Sequence, residues 1–170
     1  MDFALKTKTC SFSGHRRISK DKQSWLRVRI AQEIQRLAEK GVFCFVCGGA
    51  LGFDTLAAQT VLELRQSNAD LHLLLILPCR DQTHGWSARD IAVYQSILEQ
   101  ADQVCYTEER YSAGCMHKRN RALVDCSNWC VCYLKNTRGG TRYTVDYAVQ
   151  RGLTVVNLAE DEDDSFAGGC

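Results

Sequence analysis

Two glycine pairs, each in a turn that leads into a segment of helical period, are the clearest candidates for a binding site in this chain. Gly48 and Gly49 form one pair, and Gly139 and Gly140 form the other. Glycine lets the backbone pass close to a ligand, and the free N–H groups at a helix N-terminus attract anions. The spacing therefore predicts the binding of a phosphate group.

The first glycine turn runs from Cys47 to Asp54 and contains a third glycine, Gly52. Its GGxxG spacing approaches the GxGxxG of dinucleotide-binding turns without reproducing it. Asp54 is expected to cap the following helix, where it would also accept a hydrogen bond from a ribose hydroxyl. The alternative is that the glycines only form a tight turn from strand to helix.

Two other turns carry groups that suit phosphate oxygens. The turn Ser13-Gly14-His15-Arg16 combines a hydroxyl, a flexible residue and potential cations. Its backbone N–H groups and guanidinium can donate to phosphate, although a basic surface turn is the alternative. Thr141, directly after the second glycine pair, adds another hydroxyl donor.

The remaining candidates are a helix start and a loop. Met116–Arg121 is a cationic helix start that includes Arg119 and Asn120, and its alternative is a solvated helix face. The loop from Pro78 to Trp86 follows a predicted strand and contains Gln82. The aromatic ring at the end of this loop would either stack on a base or anchor the loop to the core.

The ten cysteines lie mostly within apolar runs, where a thiol behaves as a small hydrophobe, so we expect reduced thiols. Cys44 and Cys47 form a CxxC inside a strand-like run, with no second pair to complete a metal site. We expect no metal. The alternation of Cys130 and Cys132 is typical of a buried strand face.

Apolar runs of strand length alternate with longer segments of helical period. The predicted strands are Thr9–Ser13, Val42–Cys47, His72–Leu77, Gln103–Tyr106, Trp129–Leu134 and Thr154–Leu158, and the predicted helices are Lys22–Lys40, Thr55–Gln66, Ala88–Gln100, His117–Cys126 and Thr141–Arg151. This alternation predicts an α/β fold, a single Rossmann-like domain with a mainly parallel sheet and helices on both faces. Because ligands of such sheets bind at the carboxyl ends of the strands, the turns described above should meet there.

At 170 residues and 45% hydrophobic, the chain suits one domain, which we place at residues 1–159. Residues 160–170 begin with five acidic residues and are expected to form a disordered tail. Removing those five charges from the formal net charge of +1 leaves the domain at +6. That charge suits a compact anionic ligand and is too low to indicate a protein that binds duplex nucleic acid.

No signal peptide or membrane span is recognisable, so we expect a cytoplasmic protein with no membrane partner.

In these motifs the chain resembles the YpsA-like branch of the SLOG superfamily, which also contains the LOG phosphoribohydrolases and the DNA-processing protein DprA. The matching segments are Cys10–Arg16, Gly48–Asp54, Leu77–Cys79 with Gln82 and Trp86, Arg119-Asn120, and Gly139–Thr141 with Asp146–Ala148. The resemblance implies a Rossmann-like sheet that binds nucleotides or NAD-derived ligands. Some relatives use it for sensing and others for glycosidic cleavage.

The resemblance to LOG enzymes bears on catalysis. Their MHERK segment is similar to Met116–Asn120, which implies that Arg119 stands at the position of their catalytic arginine. Their PGGxGTxxE motif, laid on Arg138–Asp146, keeps both glycines but has Asp146 for glutamate. Cleavage of an N-glycosidic bond needs a well-placed carboxylate, and an error of about 1 Å can lower the rate by about a hundredfold. The shorter Asp146 therefore favours a receptor over an enzyme.

We thus predict a module that binds an ADP-ribose-type, NAD-derived or nucleoside-phosphate ligand as a sensor or sequestering protein, and that requires no cofactor. The alternatives are a LOG-like phosphoribohydrolase acting on nucleoside monophosphates through Arg119 and Asp146, and a DprA-like binder of single-stranded DNA, although a nucleic-acid partner is less expected. A homodimer is the expectation by analogy with LOG and DprA. The predicted ligand-binding residues are Ser13, Gly14, His15, Arg16, Gly48, Gly49, Gly52, Asp54, Pro78, Gln82, Trp86, Arg119, Asn120, Gly139, Gly140 and Thr141.

Overall fold

A computed structural model describes residues 3–162 of the chain. Six strands form one sheet: β1 (Thr9–Gly14), β2 (Cys44–Cys47), β3 (His72–Leu77), β4 (Gln103–Tyr106), β5 (Trp129–Tyr133) and β6 (Thr154–Asn157). Their order is β4-β3-β2-β1-β5-β6, and every neighbouring pair is parallel. The prediction of a Rossmann-like α/β domain is confirmed, with a sheet that is parallel throughout.

Five longer helices connect the strands: α2 (Lys20–Glu39), α3 (Phe53–Arg65), α4 (Ala88–Gln100), α5 (Cys115–Asp125) and α6 (Gly140–Gln150). Each corresponds to a predicted helix within two residues at either end. The sequence analysis missed the short α1 (Phe3–Lys6), because four residues are too few to show a helical period. None of the helices in residues 3–162 is long and apolar enough to cross a bilayer.

The helices cover both faces of the sheet. On one face, side chains of α2, α3 and α4 pack against β1, β2 and β3, and Phe12 and Phe45 lie at the centre of this layer. On the other face, Val145 and Ala148 of α6 pack on Cys130 and Cys132. The cysteine alternation along β5 is therefore a buried strand face, as predicted.

The chain ends its described part in a 3-10 helix, Leu158–Glu162, and Leu158 is fully buried. The predicted boundary at residue 159 falls inside this element. The rest of the predicted tail, 163–170, lies outside the described residues. Nine free cysteines are described, and all except Cys105 are buried. Within the described part no group of His, Cys, Asp or Glu residues could hold a metal ion.

The strand order creates a topological switch point between β1 and β5. From β1 the chain proceeds outward through β2 and β3 to β4, and α5 then returns it to β5 on the other side of β1. The two strands are in register, with Gly14 beside Tyr133 at their carboxyl ends. The loops that follow them leave in opposite directions, and the gap between such loops is where open α/β sheets bind ligands.

Candidate functional site

A cavity of about 310 Å³ opens at the carboxyl ends of β1 and β5. The residues that line it are Phe12, Ser13, Gly14, His15, Arg16, Ala50, Asp54, Met116, Arg119, Asn120, Leu123, Asn136, Arg138, Gly139, Gly140 and Thr141. They come from the turn after β1, the start of α3, one face of α5 and the turn before α6. Four segments that are distant in sequence therefore meet at this cavity.

A buried ion pair joins the start of α3 to α5 in the wall of this cavity. Arg119 Nη1 lies 3.7 Å from Asp54 Oδ2, and both side chains are less than one-tenth exposed. The same carboxylate oxygen accepts hydrogen bonds from the backbone N–H groups of Gly48, at 3.1 Å, and Ala50, at 3.3 Å. Arg119 also donates to the carbonyl of Gly48. The pair thereby fixes the first glycine turn.

Burial opposes both charges of this pair. It raises the pKa of Asp54, while Arg119 and the two backbone N–H donors act in the opposite direction. Burial lowers the pKa of Arg119, Asp54 opposes that shift, and the nearby Arg16 adds to it. An arginine stays protonated in proteins, so the wall of the cavity keeps a buried cation. Arg16 and Arg119 thus bring two positive charges close together.

Several polar groups around the cavity have no protein partner. Arg119 Nε is buried and makes no hydrogen bond to any residue in 3–162. Five further cavity-lining side chains make no hydrogen bond to another described residue, and they range from buried Ser13 to exposed Asn136 and Arg138: Ser13, Asn120, Asn136, Arg138 and Thr141. Buried polar groups are nearly always satisfied, so the unpaired Arg119 Nε, with further polar side chains around it, marks a place where a ligand can supply the partners.

The N-terminus of α6 adds backbone donors to the same wall. Its N-cap is Gly139, whose φ of +107° lies in the region that favours glycine, and no side chain caps the helix. Gly140 and Thr141 begin the helix at the edge of the cavity. The first N–H groups of a helix lack intrahelical acceptors and carry the positive end of its dipole. This wall therefore favours an anion.

His15 joins the two loops that flank the switch point. Its Nε2 accepts a hydrogen bond of 2.9 Å from the backbone N–H of Lys135, and its ring meets Tyr133 edge-on. Burial and the positive charge of Lys135 lower the pKa of His15. The imidazole is therefore held in its neutral form, with the proton on Nδ1.

Comparison with known proteins identifies the family. The model of the YspA SLOG family (YpsA) matches residues 14–155. The chain belongs to this family. It is 28% identical over 136 residues to the SPbeta prophage-derived protein YoqJ of Bacillus subtilis, covering 72% of this chain and 80% of that protein. It is 30% identical over 131 residues to a UPF0398 protein of Halalkalibacterium halodurans, covering 75% and 69%. The resemblance inferred from the motifs is confirmed.

Solved structures show the same fold. DNA processing protein A of Helicobacter pylori matches with a TM-score of 0.64 and 20% identity, over 91% of this chain and 67% of that one. DprA of Streptococcus pneumoniae gives 0.62 and 16% identity, over 92% of this chain and 61% of that one. The structural genomics target TM1055 gives 0.58 and 19% identity, over 88% and 72%. At these identities the likeness concerns the fold alone.

In this SLOG chain the structure brings ten of the predicted site residues to one cavity: Ser13, Gly14, His15, Arg16, Asp54, Arg119, Asn120, Gly139, Gly140 and Thr141. Asp54 also lines the cavity, but it does not cap the following helix as expected. The N-cap of α3 is Gly52, and Asp54 turns its carboxylate back onto the first glycine turn and Arg119. The expectation that it caps the helix is wrong.

Two of the predicted glycines lie behind the cavity and hold the loops together. A Cβ on Gly48 would stand 1.8 Å from Arg119 Nη1, so this glycine makes room for the ion pair. Gly52 has a φ of +79°, and a Cβ there would stand 2.4 Å from the backbone oxygen of Arg16. Neither lines the cavity. They position the turn, while its neighbours Ala50 and Asp54 face the cavity.

The loop after β3 supports the first glycine turn from its far side. Gln82 donates to the hydroxyl of Tyr94 at 2.7 Å, and Trp86 meets the Tyr94 ring edge-on. A Cβ on Gly49 would stand 2.4 Å from the Leu77 side chain. Of the predicted ligand-binding residues, Gly49, Pro78, Gln82 and Trp86 therefore do not line the cavity. Of the two interpretations of the Trp86 ring, the loop anchor agrees with this packing.

Asp146 does not share the cavity with Arg119. It lines a separate open cavity of about 550 Å³ beside β6 and pairs with Arg142 at 2.8 Å on the exposed face of α6. Asp146 follows Thr141 by five residues, which turns it about 140° around the helix. The two residues that align with LOG catalytic positions are thus not assembled into one site.

Six residues of the cavity are absent from the predicted ligand-binding set, although Met116 lies in a segment that the sequence analysis singled out: Phe12, Ala50, Met116, Leu123, Asn136 and Arg138. Met116, Asn120 and Leu123 follow the i, i+4, i+7 spacing of one helix face, and that spacing was available in the sequence. Asn136 and Arg138 stand between the end of β5 and the second glycine pair. Any polar residue in such a loop lies at the carboxyl edge of the sheet, so its position was a usable signal.

Proposed function

We propose that this SLOG protein binds a phosphate-bearing nucleotide in the cavity between β1 and β5 and acts as a receptor that senses or sequesters it. The observation that carries the proposal is the convergence of unpaired polar groups there, above all the buried Arg119 Nε. Leaving the buried Arg119 Nε unsatisfied costs about 1–3 kcal/mol, and the other polar groups beside it can take part in the same ligand contacts.

The phosphate would lie against the N-terminus of α6. Gly140 and Thr141 offer backbone and hydroxyl donors there, and Arg16 and Arg138 add guanidinium groups from the facing loops. Cavity-lining Arg138 makes no ion pair within the described residues, so its charge is available to an anion.

The remainder of the cavity suits a nucleoside. Phe12 and Leu123 supply an apolar surface, while the amides of Asn120 and Asn136 can both donate and accept hydrogen bonds. A volume of about 310 Å³ is at the small end for ligand pockets, which favours a mononucleotide. A pyrophosphate-linked ligand such as ADP-ribose would extend past Arg16 into an adjoining cavity of about 510 Å³.

A phosphoribohydrolase is the second candidate, and its support is weaker. Within the described chain the carboxylate that lines the cavity is Asp54, and its Oδ2 is held by Gly48, Ala50 and Arg119. Asp146 faces another cavity. A hydrolase at this site would have to use Asp54, whose carboxylate already maintains the fold of the glycine turn.

Single-stranded DNA is the third candidate, because the Helicobacter pylori neighbour is described as binding it. Arg17, Lys22 and Lys135 line the adjoining cavity beside Arg16 and would favour an extended anion. Binding of a polyanion depends strongly on salt, because many counterions are released, whereas a mononucleotide contacts few charges. The salt dependence of the affinity therefore distinguishes the two ligands.

Calorimetry with adenosine, AMP and ADP-ribose tests the proposal. We expect AMP to bind at least about tenfold more tightly than adenosine, because the donors around α6 address phosphate oxygens. Arg16→Ala should weaken AMP binding, because Arg16 lines the cavity. Arg17→Ala is the control and should not weaken it, because the adjacent Arg17 does not line this cavity. Equal affinity for adenosine and AMP would remove the phosphate site. Native mass spectrometry of freshly purified protein would identify a co-purified nucleotide by its mass.

A further inference from the structure

Two guanidinium groups from different parts of the fold meet at the sulfur of Met116. Arg16 Nη2, from the turn after β1, lies 3.8 Å from Met116 Sδ, and Arg119 Nη2 lies 4.0 Å from it. The Met116 side chain is half-buried and lines the cavity between β1 and β5. Met116 and Met1 are the two methionines of the sequence.

A thioether is a weak acceptor, so Met116 holds the two guanidinium groups only loosely. It carries no charge and cannot neutralise them. Arg16 and Arg119 repel each other, and the positive charge of Arg16 contributes to the lowered pKa of Arg119. An anion entering the cavity could draw the exposed Arg16 towards it and meet the Nη2 of Arg119, whose Nη1 stays with Asp54 and Gly48.

We propose that Met116 is an oxidation site that switches the cavity from an open, anion-binding state to a closed one, and this inference rests on the proposed function of that cavity. The oxidant is a peroxide, which is small enough to enter the cavity. Its terminal oxygen is transferred to Sδ: an S–O bond forms, the O–O bond breaks, the sulfur loses two electrons, and the peroxide is reduced to water or an alcohol. Reduction by a methionine sulfoxide reductase, with a dithiol as electron donor, returns the thioether and releases water.

The sulfoxide closes the site because its oxygen is a strong acceptor placed between two cations. It would accept hydrogen bonds from Arg16 and Arg119 that the thioether accepts only weakly. The Nη2 groups of Arg16 and Arg119 would then donate to residue 116, and its added polar oxygen would occupy part of the cavity. Oxidation thereby removes two donors from the ligand with a single atom.

The buried cysteines are poor competitors for the same oxidant. The thiolate is the reactive form, and burial raises the pKa of the Cys47 and Cys79 thiols, the latter to about 11, which keeps them protonated. Among the described cysteines, Cys105 is exposed, and it lies on β4 at the edge of the sheet. Its oxidation to a sulfenic acid or disulfide is reversed by dithiothreitol, whereas methionine sulfoxide requires its own reductase.

The experiment treats the full-length protein with hydrogen peroxide and then with dithiothreitol, and measures AMP affinity by calorimetry and the mass of the Met116 peptide. We expect one added oxygen on Met116 and at least about a tenfold loss of AMP affinity, which a methionine sulfoxide reductase restores. Met116→Leu is the matched control, because leucine cannot form a sulfoxide. The AMP affinity of this variant after peroxide treatment should equal the AMP affinity of the same variant before treatment. Met116→Gln, which places a carbonyl oxygen near the site of the sulfoxide oxygen, should reproduce the loss without peroxide.

An oxidised Met116 with unchanged AMP affinity would overturn the proposal, as would an equal loss of affinity in Met116→Leu or a Met116 that resists peroxide. If the untreated protein does not bind AMP, the proposed function fails. A second measurement then still tests whether the sulfoxide binds the two arginines. In protein labelled with ¹⁵N-arginine, the guanidinium protons of the exposed Arg16 should exchange with water more slowly after oxidation. Unchanged exchange at Arg16 would refute the sulfoxide bridge independently of any ligand.

Discussion

Arg119 Nη1 and Asp54 Oδ2 lie 3.7 Å apart in a buried pair that links α5 to the first glycine turn across the carboxyl edge of the sheet. The pair has two roles: Asp54 holds the backbone of the glycine turn, and Arg119 places in the wall of the cavity an Nε that has no partner among residues 3–162. Fold and site therefore depend on the same contact.

Asp54→Asn should lower the free energy of unfolding by about 3–5 kcal/mol, because it leaves the Arg119 cation buried without a counterion. Asp146→Asn is the matched control: it breaks the exposed Arg142–Asp146 pair, and solvent screening should make that loss much smaller than the loss in Asp54→Asn. Urea denaturation of both variants measures the difference. Similar losses would mean that the buried pair contributes no more than a surface one.

Gly140→Val and Gly49→Val should fail in different ways. A Cβ on Gly140 has open space towards the cavity, with Asn120 Nδ2 at 4.0 Å, so the variant should fold and lose at least about tenfold in AMP affinity. Gly49 has a φ of +66° and faces Leu77, so its variant should lose at least about 2 kcal/mol of stability. Urea denaturation and calorimetry on both variants test this. Unchanged AMP affinity in Gly140→Val would place the phosphate elsewhere.

Wild-type protein should release no free base from AMP above the uncatalysed rate, because Asp146 faces a different cavity from Arg119. Asp146→Asn should leave AMP affinity within about twofold of wild type, whereas Asn120→Ala should weaken it by about tenfold as a cavity-lining change. Chromatography of the reaction products and calorimetry provide the two measurements. Base release that disappears in Asp146→Asn would establish the phosphoribohydrolase instead.

Stability should decrease on acidification through the titration of His15. Its pKa is lowered in the folded protein from the ordinary value of 6.5, so the unfolded chain binds the proton more readily. The stabilising contribution is complete above about pH 6.5 and is lost as the pH falls from there through the lowered folded pKa, when protonated Nε2 can no longer accept from Lys135. Urea denaturation of wild type and His15→Gln between pH 7.5 and 5.5 tests this. A variant with the same pH dependence as wild type would assign the effect to other groups.

Much of the fold was available from the sequence. The alternation of apolar strands with helical segments predicted all six strands and the five longer helices, because period and turn residues are local properties of each element. The glycine turns before Asp54 and Thr141 also indicated which ends of the strands carry the site. The motifs in those turns were sufficient to identify the SLOG family.

The tertiary structure alone decided which residues face the ligand. Gly48 and Arg119 are 71 positions apart in the sequence. No local pattern predicts that the absence of a side chain at Gly48 leaves room for the Arg119 guanidinium. Asp146 and Thr141 lie on one helix, yet the rotation between them sends Asp146 to another cavity. Sequence periodicity determines how an element is built, whereas the strand order, with β1 beside β5, determines what it meets. The contacts between elements are non-local because they depend on how the strands and helices pack together. The sequence of one element alone does not determine them.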